Sequence, residues 1–157
     1  MFQKILVAID CSKVSKRVFE KALALAKLTK ANLMIFNVLC PEEEGYLDTA
    51  DILNYYDSDK DSEAVQHSQK MLDKFSQLKL DMLRLYATEA TAAGVYAEYK
   101  QDFGNSGETI CEFARNWQAD LIIIGRRHWL SGIEEFVLGR VSNYVLHHAF
   151  CSVLIVP

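Results

Sequence analysis

Four positively charged or titratable side chains crowd around two glycines near the end of this chain: Arg126, Arg127 and His128 follow Gly125, and Arg140 follows Gly139. Guanidinium groups hold phosphate or carboxylate bidentately, and glycine lets backbone approach a ligand closely. The chemistry these residue types offer is the capture of an anion. Leu121 to Ile124, LIII, enters the loop as a run of branched apolar residues that suits a strand buried on both faces. Beyond Gly139 the segment VSNYVLHHAF reads as a helix, so Arg140, Val141 and Ser142 stand in its first turn. A strand that feeds a glycine-bounded loop and then a helix N-terminus is a site for phosphate, because the free N–H groups and the helix dipole favour negative charge.

Other chemistries lack their residues. His147 and His148 are adjacent and point to different faces of a helix, and no His has a partner at zinc spacing. There is no G-x-S-x-G elbow and no GxxxxGK[ST] loop. Asp10 is a lone carboxylate without a paired acid or base. These features argue against an enzyme, with slow nucleotide hydrolysis as the outer bound. The cysteines Cys11, Cys40, Cys111 and Cys151 are widely separated and suggest neither a disulfide framework nor a metal site.

The elements that must position the loop are legible from periodicity. KILVAI, residues 4–9, is a strand ended by Asp10-Cys11-Ser12, and Ser12 or Ser15 can cap a helix that runs to Thr29. NLMIFNVL, residues 32–39, is a second buried strand, which makes a βαβ unit with a right-handed crossover. Residues 63 to 93 are helical, with Met71, Phe75, Leu78, Met82 and Leu85 stepping by four, three, four and three along one face, and Gly94 suits the C′ position. VYAEYKQ, residues 95–101, predicts a third strand. Asn105 or Ser106 can cap a helix over 108–118, and Ser152 to Val156 closes the chain as a fifth strand. Alternating strands and helices predict an α/β fold: a doubly wound, Rossmann-like, five-stranded parallel sheet of order 3-2-1-4-5 with helices on both faces.

The 157 residues fit a single domain over 1–157. Hydrophobic residues make up 50% and charged residues 24%, as in ordinary globular proteins. No apolar run approaches the roughly 20 residues that span a bilayer, and the N-terminus lacks a signal-peptide pattern, so the expectation is a cytoplasmic protein without membrane partners. Residues 41 to 63 hold nine Asp or Glu against Lys60, a local charge of −8 within a net charge of −4. This acidic excursion is a surface loop or a segment that competes for the arginines. No basic stripe with interleaved aromatics is present, which argues against a nucleic-acid partner.

The opening KILVAIDCSKVSKRVFEKALALA, then ADLIIIGRR, then LGRVSNYVLHHAFCSVLIVP, resembles the universal stress protein family in the same order and over essentially the whole length. The resemblance implies a cytosolic stress-response protein that binds an adenine nucleotide (ATP, AMP or a cyclic nucleotide, with Mg as an optional companion) and acts as a sensor or regulator through protein partners. It also implies a homodimer paired through the C-terminal strand. Carried over residue by residue, Asp10 corresponds to the aspartate that meets adenosine, Ala8 and Ile9 to residues flanking the base, and Val38 to one whose backbone meets adenine. Nucleotide-binding members carry G-x2-G-x9-G-[S/T] after the fourth strand. Gly125 and Gly139 match its first and third glycines, with Arg126, Arg127, Arg140, Val141 and Ser142 beside them. The chain departs three times: His128 replaces the second glycine, ten residues rather than nine precede Gly139, and Arg140 replaces Ser or Thr. The alternative is a family member with a degraded motif that works as a dimeric interaction module.

Overall fold

The computed structural model describes residues 1–40, 63–126 and 139–157. Most of the acidic stretch, and Arg127 and His128, lie outside the described residues. Five strands, β1 (Lys4–Ala8), β2 (Asn32–Leu39), β3 (Ala97–Phe103), β4 (Leu121–Gly125) and β5 (Ser152–Val156), form one parallel sheet in the order β3-β2-β1-β4-β5. Four described helices accompany them: α1 (Ser15–Thr29), α2 (Glu63–Ala92), α3 (Ser106–Trp117) and α4 (Arg140–His148). The sequence-based class and strand order are those observed.

The period of two along each strand distributes the core between two faces. Ile5 and Val7 of β1, Leu33 and Ile35 of β2, and Leu121 and Ile123 of β4 pack under Val18, Phe19, Ala22 and Ala26 of α1 and Leu83, Ala87 and Ala90 of α2. Leu6, Met34, Phe36, Ile122 and Ile124 turn the other way, under Ile110 and Ala114 of α3 and Val145 of α4. Aromatic pairs tie the layers together: Phe19 of α1 meets Tyr86 of α2 at 4.3 Å between ring centres, and Phe36 of β2 stacks on Phe113 of α3 at 4.3 Å. β1 sits between β2 and β4, and its Ile5, Leu6 and Val7 are wholly inaccessible, as central parallel strands require.

Boundaries depart from the sequence expectation where local signals are ambiguous. β3 begins at Ala97 instead of Val95, because Val95 donates its N–H to Ala90 O and closes the end of α2. Gly94 adopts a positive φ of 84°, the conformation that such a helix end demands. Asn105 caps α3 as expected, accepting from Glu108 N. Neither Ser12 nor Ser15 is the residue directly ahead of α1; Val14 is, without a side-chain cap.

The larger correction concerns α2. Its regular apolar set is mostly not the buried one: Met71, Leu78 and Leu85 are 57%, 59% and 67% exposed, while Phe75 and Met82 are half-buried. The helix faces the sheet with Leu83, Ala87 and Ala90, flanked by Leu80, Met82 and Tyr86. Small alanines interleaved with large residues make this face faint in the sequence, although they let the helix lie close on the strands.

Candidate functional site

The carboxyl ends of β1, β2 and β4 meet where open parallel sheets bind ligands. Beyond β1, Ile9 is buried and uses both backbone groups: its N–H donates to Phe36 O at 2.8 Å, and its carbonyl accepts from Asn37 Nδ2 at 2.7 Å. Asn37 is itself 1% exposed, and its Oδ1 accepts from Gln101 Nε2 at 3.2 Å. Gln101 Oε1 accepts from the Ser76 hydroxyl of α2 at 2.7 Å. A relay of side-chain amides therefore runs beneath the site from α2 through β3 and β2 to β1. Sequence reading missed Asn37 and Gln101, and the visible signal was an amide inside the otherwise apolar NLMIFNVL.

Asp10 follows Ile9. Its Oδ1 accepts from the Ser12 amide at 2.9 Å and from the Ser15 hydroxyl at 2.9 Å, so the carboxylate holds the turn into α1. Cys11 within that turn takes φ 67°, a conformation uncommon for residues other than glycine. Ala8 pairs across both neighbours, with Phe36 and with Ile124, and Val38 is buried opposite Asp102.

On the other side of the switch point, Gly125 ends β4. It needs no positive φ; it is a glycine because a Cβ there would stand 2.9 Å from Val18 Cγ2 and 3.5 Å from Val14 Cγ1. The glycine at this position admits α1 against the sheet. Arg126 continues the strand, donating its N–H to Val156 O at 2.7 Å, and its half-buried side chain leaves Nε buried without a hydrogen-bond partner among the described residues. A buried guanidinium N–H without an acceptor carries a desolvation cost of about 1–3 kcal/mol or more.

Gly139 precedes α4 in an extended conformation, φ −60° and ψ 157°, without a side-chain cap, and no acidic residue lies in the first turn. The first N–H groups of a helix have no intrahelical acceptor, so those of Arg140, Val141 and Ser142 are not committed within the helix and suit an anion. Arg140 is exposed. Ser142 is 2% exposed and donates its hydroxyl to Gly139 O at 3.0 Å, turned inward to the helix. Arg127 and His128 lie outside the described residues. Among the described residues no three His, Cys, Asp or Glu side chains converge as metal ligands. An open groove along the β3 edge, lined by Arg84, Ala87, Thr91, Ala97, Glu98 and Tyr99, is remote from the carboxyl ends and offers no such set of convergent donors.

The family model for the universal stress protein family matches residues 1–157. The chain belongs to that family. A universal stress protein of a Synechocystis species is 35% identical over 99% of this chain and 97% of its own. Among solved structures, a universal stress protein in complex with cAMP superposes with a TM-score of 0.65 at 24% identity, covering 99% of this chain and 96% of that one. A universal stress protein family protein from Arabidopsis thaliana with AMP bound superposes at a TM-score of 0.61 and 19% identity, covering 98% and 90%. These likenesses bear on the fold, and the universal stress protein domain described here shares it. None of its described helices is long and apolar enough to cross a membrane.

Proposed function

We propose that this universal stress protein binds an adenine nucleotide at the carboxyl end of the sheet and acts, without catalysing a reaction of its own, as a regulator through protein partners. The base lies by Ala8, Ile9, Asp10 and Val38, and the phosphate by Gly125, Arg126 and the Gly139–Ser142 helix start, with Arg127 and His128 between Arg126 and Gly139 in the sequence. The observation that carries this reading is Arg126 Nε, buried and lacking an acceptor among the described residues, together with a helix N-terminus that has neither a side-chain cap among those residues nor an acid in its first turn. The bound cAMP and AMP of the two solved relatives support the ligand class. Family membership supports the regulatory role. The inward-turned Ser142 hydroxyl and Arg140 in place of Ser or Thr favour a monophosphate or cyclic phosphate held by arginine over a triphosphate cradled by backbone and hydroxyls.

The test is calorimetric titration of AMP and of adenosine against the wild type, Arg126→Met and Arg140→Ala. Each substitution should cost AMP about 1.5–3 kcal/mol, the range for hydrogen bonds to charged groups, and leave adenosine unchanged. Absence of AMP binding by the wild type would refute the nucleotide reading and leave the dimeric interaction module. The dimer in either reading pairs β5 with its twin. β5 is an edge strand, and its Leu154 is 41% exposed. An open apolar edge calls for cover. Light scattering at micromolar protein should give at least twice 17.9 kDa.

A further inference from the structure

One apolar set on α2 has a spacing that the core-facing residues do not follow. Met71, Phe75, Leu78, Met82 and Leu85 alternate steps of four and three, a period of 3.5 residues; Met71, Leu78 and Leu85 are exposed, and Phe75 and Met82 are half-buried, with Met82 also touching the core. The residues on the sheet follow instead the wider pattern of a core-facing helix. Met71, Leu78 and Leu85, at i, i+7 and i+14, are each more than half exposed. They make a straight apolar seam about 21 Å long at roughly 1.5 Å per residue. A narrow stripe of this period is what one helix presents to another in a two-stranded coiled coil.

The charges beside the seam discriminate among partners. When two copies of α2 run antiparallel about a two-fold axis between Ser76 and Gln77, Met71 meets the partner's Met82 and Phe75 meets the partner's Leu78. Lys74 then stands opposite the partner's Asp81, and the symmetry supplies the same pair a second time. Sliding by one heptad sets Asp81 against the partner's Asp81. Running the helices parallel sets Lys74 towards the partner's Lys79. The first arrangement alone joins four apolar layers to two opposed flanking charge pairs. Asp81 is available for it, since its present contacts are local and half-solvated: Gln77 Nε2 at 3.1 Å and Arg84 at 3.5 Å.

We infer that the Met71–Leu85 face of α2 is a self-association surface, on which a second copy of this chain docks its own α2 antiparallel. α2 packs over β2 and β3, at the opposite side of the sheet from β5, so the contact is independent of pairing through β5. Two isologous surfaces on one subunit build a closed tetramer or an open array according to their relative angle.

Disulfide trapping tests the register. Residues 74 and 81 of one helix are two turns apart, about 10.5 Å, beyond the reach of a disulfide. Lys74→Cys combined with Asp81→Cys should therefore cross-link only between copies, giving a covalent dimer on oxidation that neither single variant nor the wild type yields. Charge reversal supplies the second arm, read by sedimentation at low salt. Asp81→Lys should weaken self-association roughly tenfold through two opposed lysine pairs, and adding Lys74→Asp should restore it. Failure of the double-cysteine variant to cross-link, as would follow if another part of the chain or a foreign protein covered the seam, overturns the inference. So does a single-cysteine variant that cross-links equally well, or a double reversal no better than the single.

Discussion

Gly125→Ala is the most discriminating perturbation the structure offers, because two general expectations for it have opposite signs. Gly125 has no positive φ, so alanine is conformationally admissible there, and the reduced freedom of the unfolded chain should stabilise the protein by about 0.4–1 kcal/mol. Against this, the added methyl would lie 2.9 Å from Val18 Cγ2, closer than real contacts permit. Val18 cannot step aside. It is β-branched, so its helical rotamer is nearly fixed, and it is 2% exposed within the cluster formed by α1, α2 and the sheet. Overpacking of this kind costs about 1–3 kcal/mol. The clash wins, and the net loss should be about 1–2 kcal/mol once the entropic gain is set against it.

Urea denaturation of the wild type, Gly125→Ala, Val18→Ala and the double variant measures it. The midpoint should fall in Gly125→Ala at unchanged slope, with a Tm lower by roughly 2–4 °C per kcal/mol for a chain of this size. Val18→Ala alone leaves a cavity, which the alanine methyl at 125 partly fills, so the double variant should lose less than the two single losses combined. A Gly125→Ala protein more stable than the wild type, or strictly additive losses, would refute the claim that this glycine is required by the packing of α1.

Two further outcomes follow from groups outside the proposed ligand contacts. Asn37→Leu leaves the Ile9 carbonyl without its buried partner, while the Gln101 amide keeps its bond to Ser76 O, and should cost about 1–3 kcal/mol; Gln101→Met, measured in the same urea series, should cost less, since Asn37 keeps its bond to Ile9. Burial raises the Cys111 and Cys151 thiols above their ordinary 9.0, with Asp120 adding to the effect at Cys151, and burial raises Tyr86 above 10.0. In each case the folded state favours the neutral form, so the stability they contribute is complete below the ordinary pKa and is lost as pH rises through the higher folded value. Melting temperature should therefore fall as pH climbs past the ordinary thiol and phenol values, and less steeply in a Cys111→Ala, Cys151→Ala, Tyr86→Phe variant; an identical fall would assign the alkaline loss to other groups.

Which features are legible in the sequence follows from how local their causes are. β2 can be placed to the residue because eight consecutive apolar or amide residues end at clear breaks, and β5 likewise. The sheet order and both helical layers come with the family resemblance and with βαβ alternation. The α2 core face is not legible, since alanines at 87 and 90 carry little hydrophobic signal while five large residues on the neighbouring stripe carry much; what decides burial is proximity to the strands, a tertiary fact. Asp10 stands out in the sequence for its carboxylate, yet its Oδ1 serves the turn at Ser12 and Ser15, as a short acid beside serines often does. Gly125 suggests a place for a ligand to approach, and the side chain that a Cβ there would meet is Val18. Both differences share a cause, namely that a motif residue can be demanded by its neighbours in the fold as well as by a ligand.

That double demand clarifies what is left for a ligand. Around the carboxyl end, Ile9 commits its N–H and carbonyl to Phe36 and Asn37, Asn37 Oδ1 accepts from Gln101, Gln101 Oε1 accepts from Ser76, Asp10 Oδ1 is taken by two donors, and Ser142 bonds back to Gly139. Buried polar groups are normally paired in this way. The groups that stay available among these residues are donors: Arg126 Nε and the first-turn amides of α4, with the exposed Arg140 in the same turn. These uncommitted donors give the proposed site a preference for a ligand rich in acceptors, which is a phosphate before it is a sugar or a base. If the ligand is a nucleotide, as proposed, its selectivity falls to the residues proposed beside the base, Ala8 and Val38, whose side chains offer shape and burial rather than hydrogen bonds.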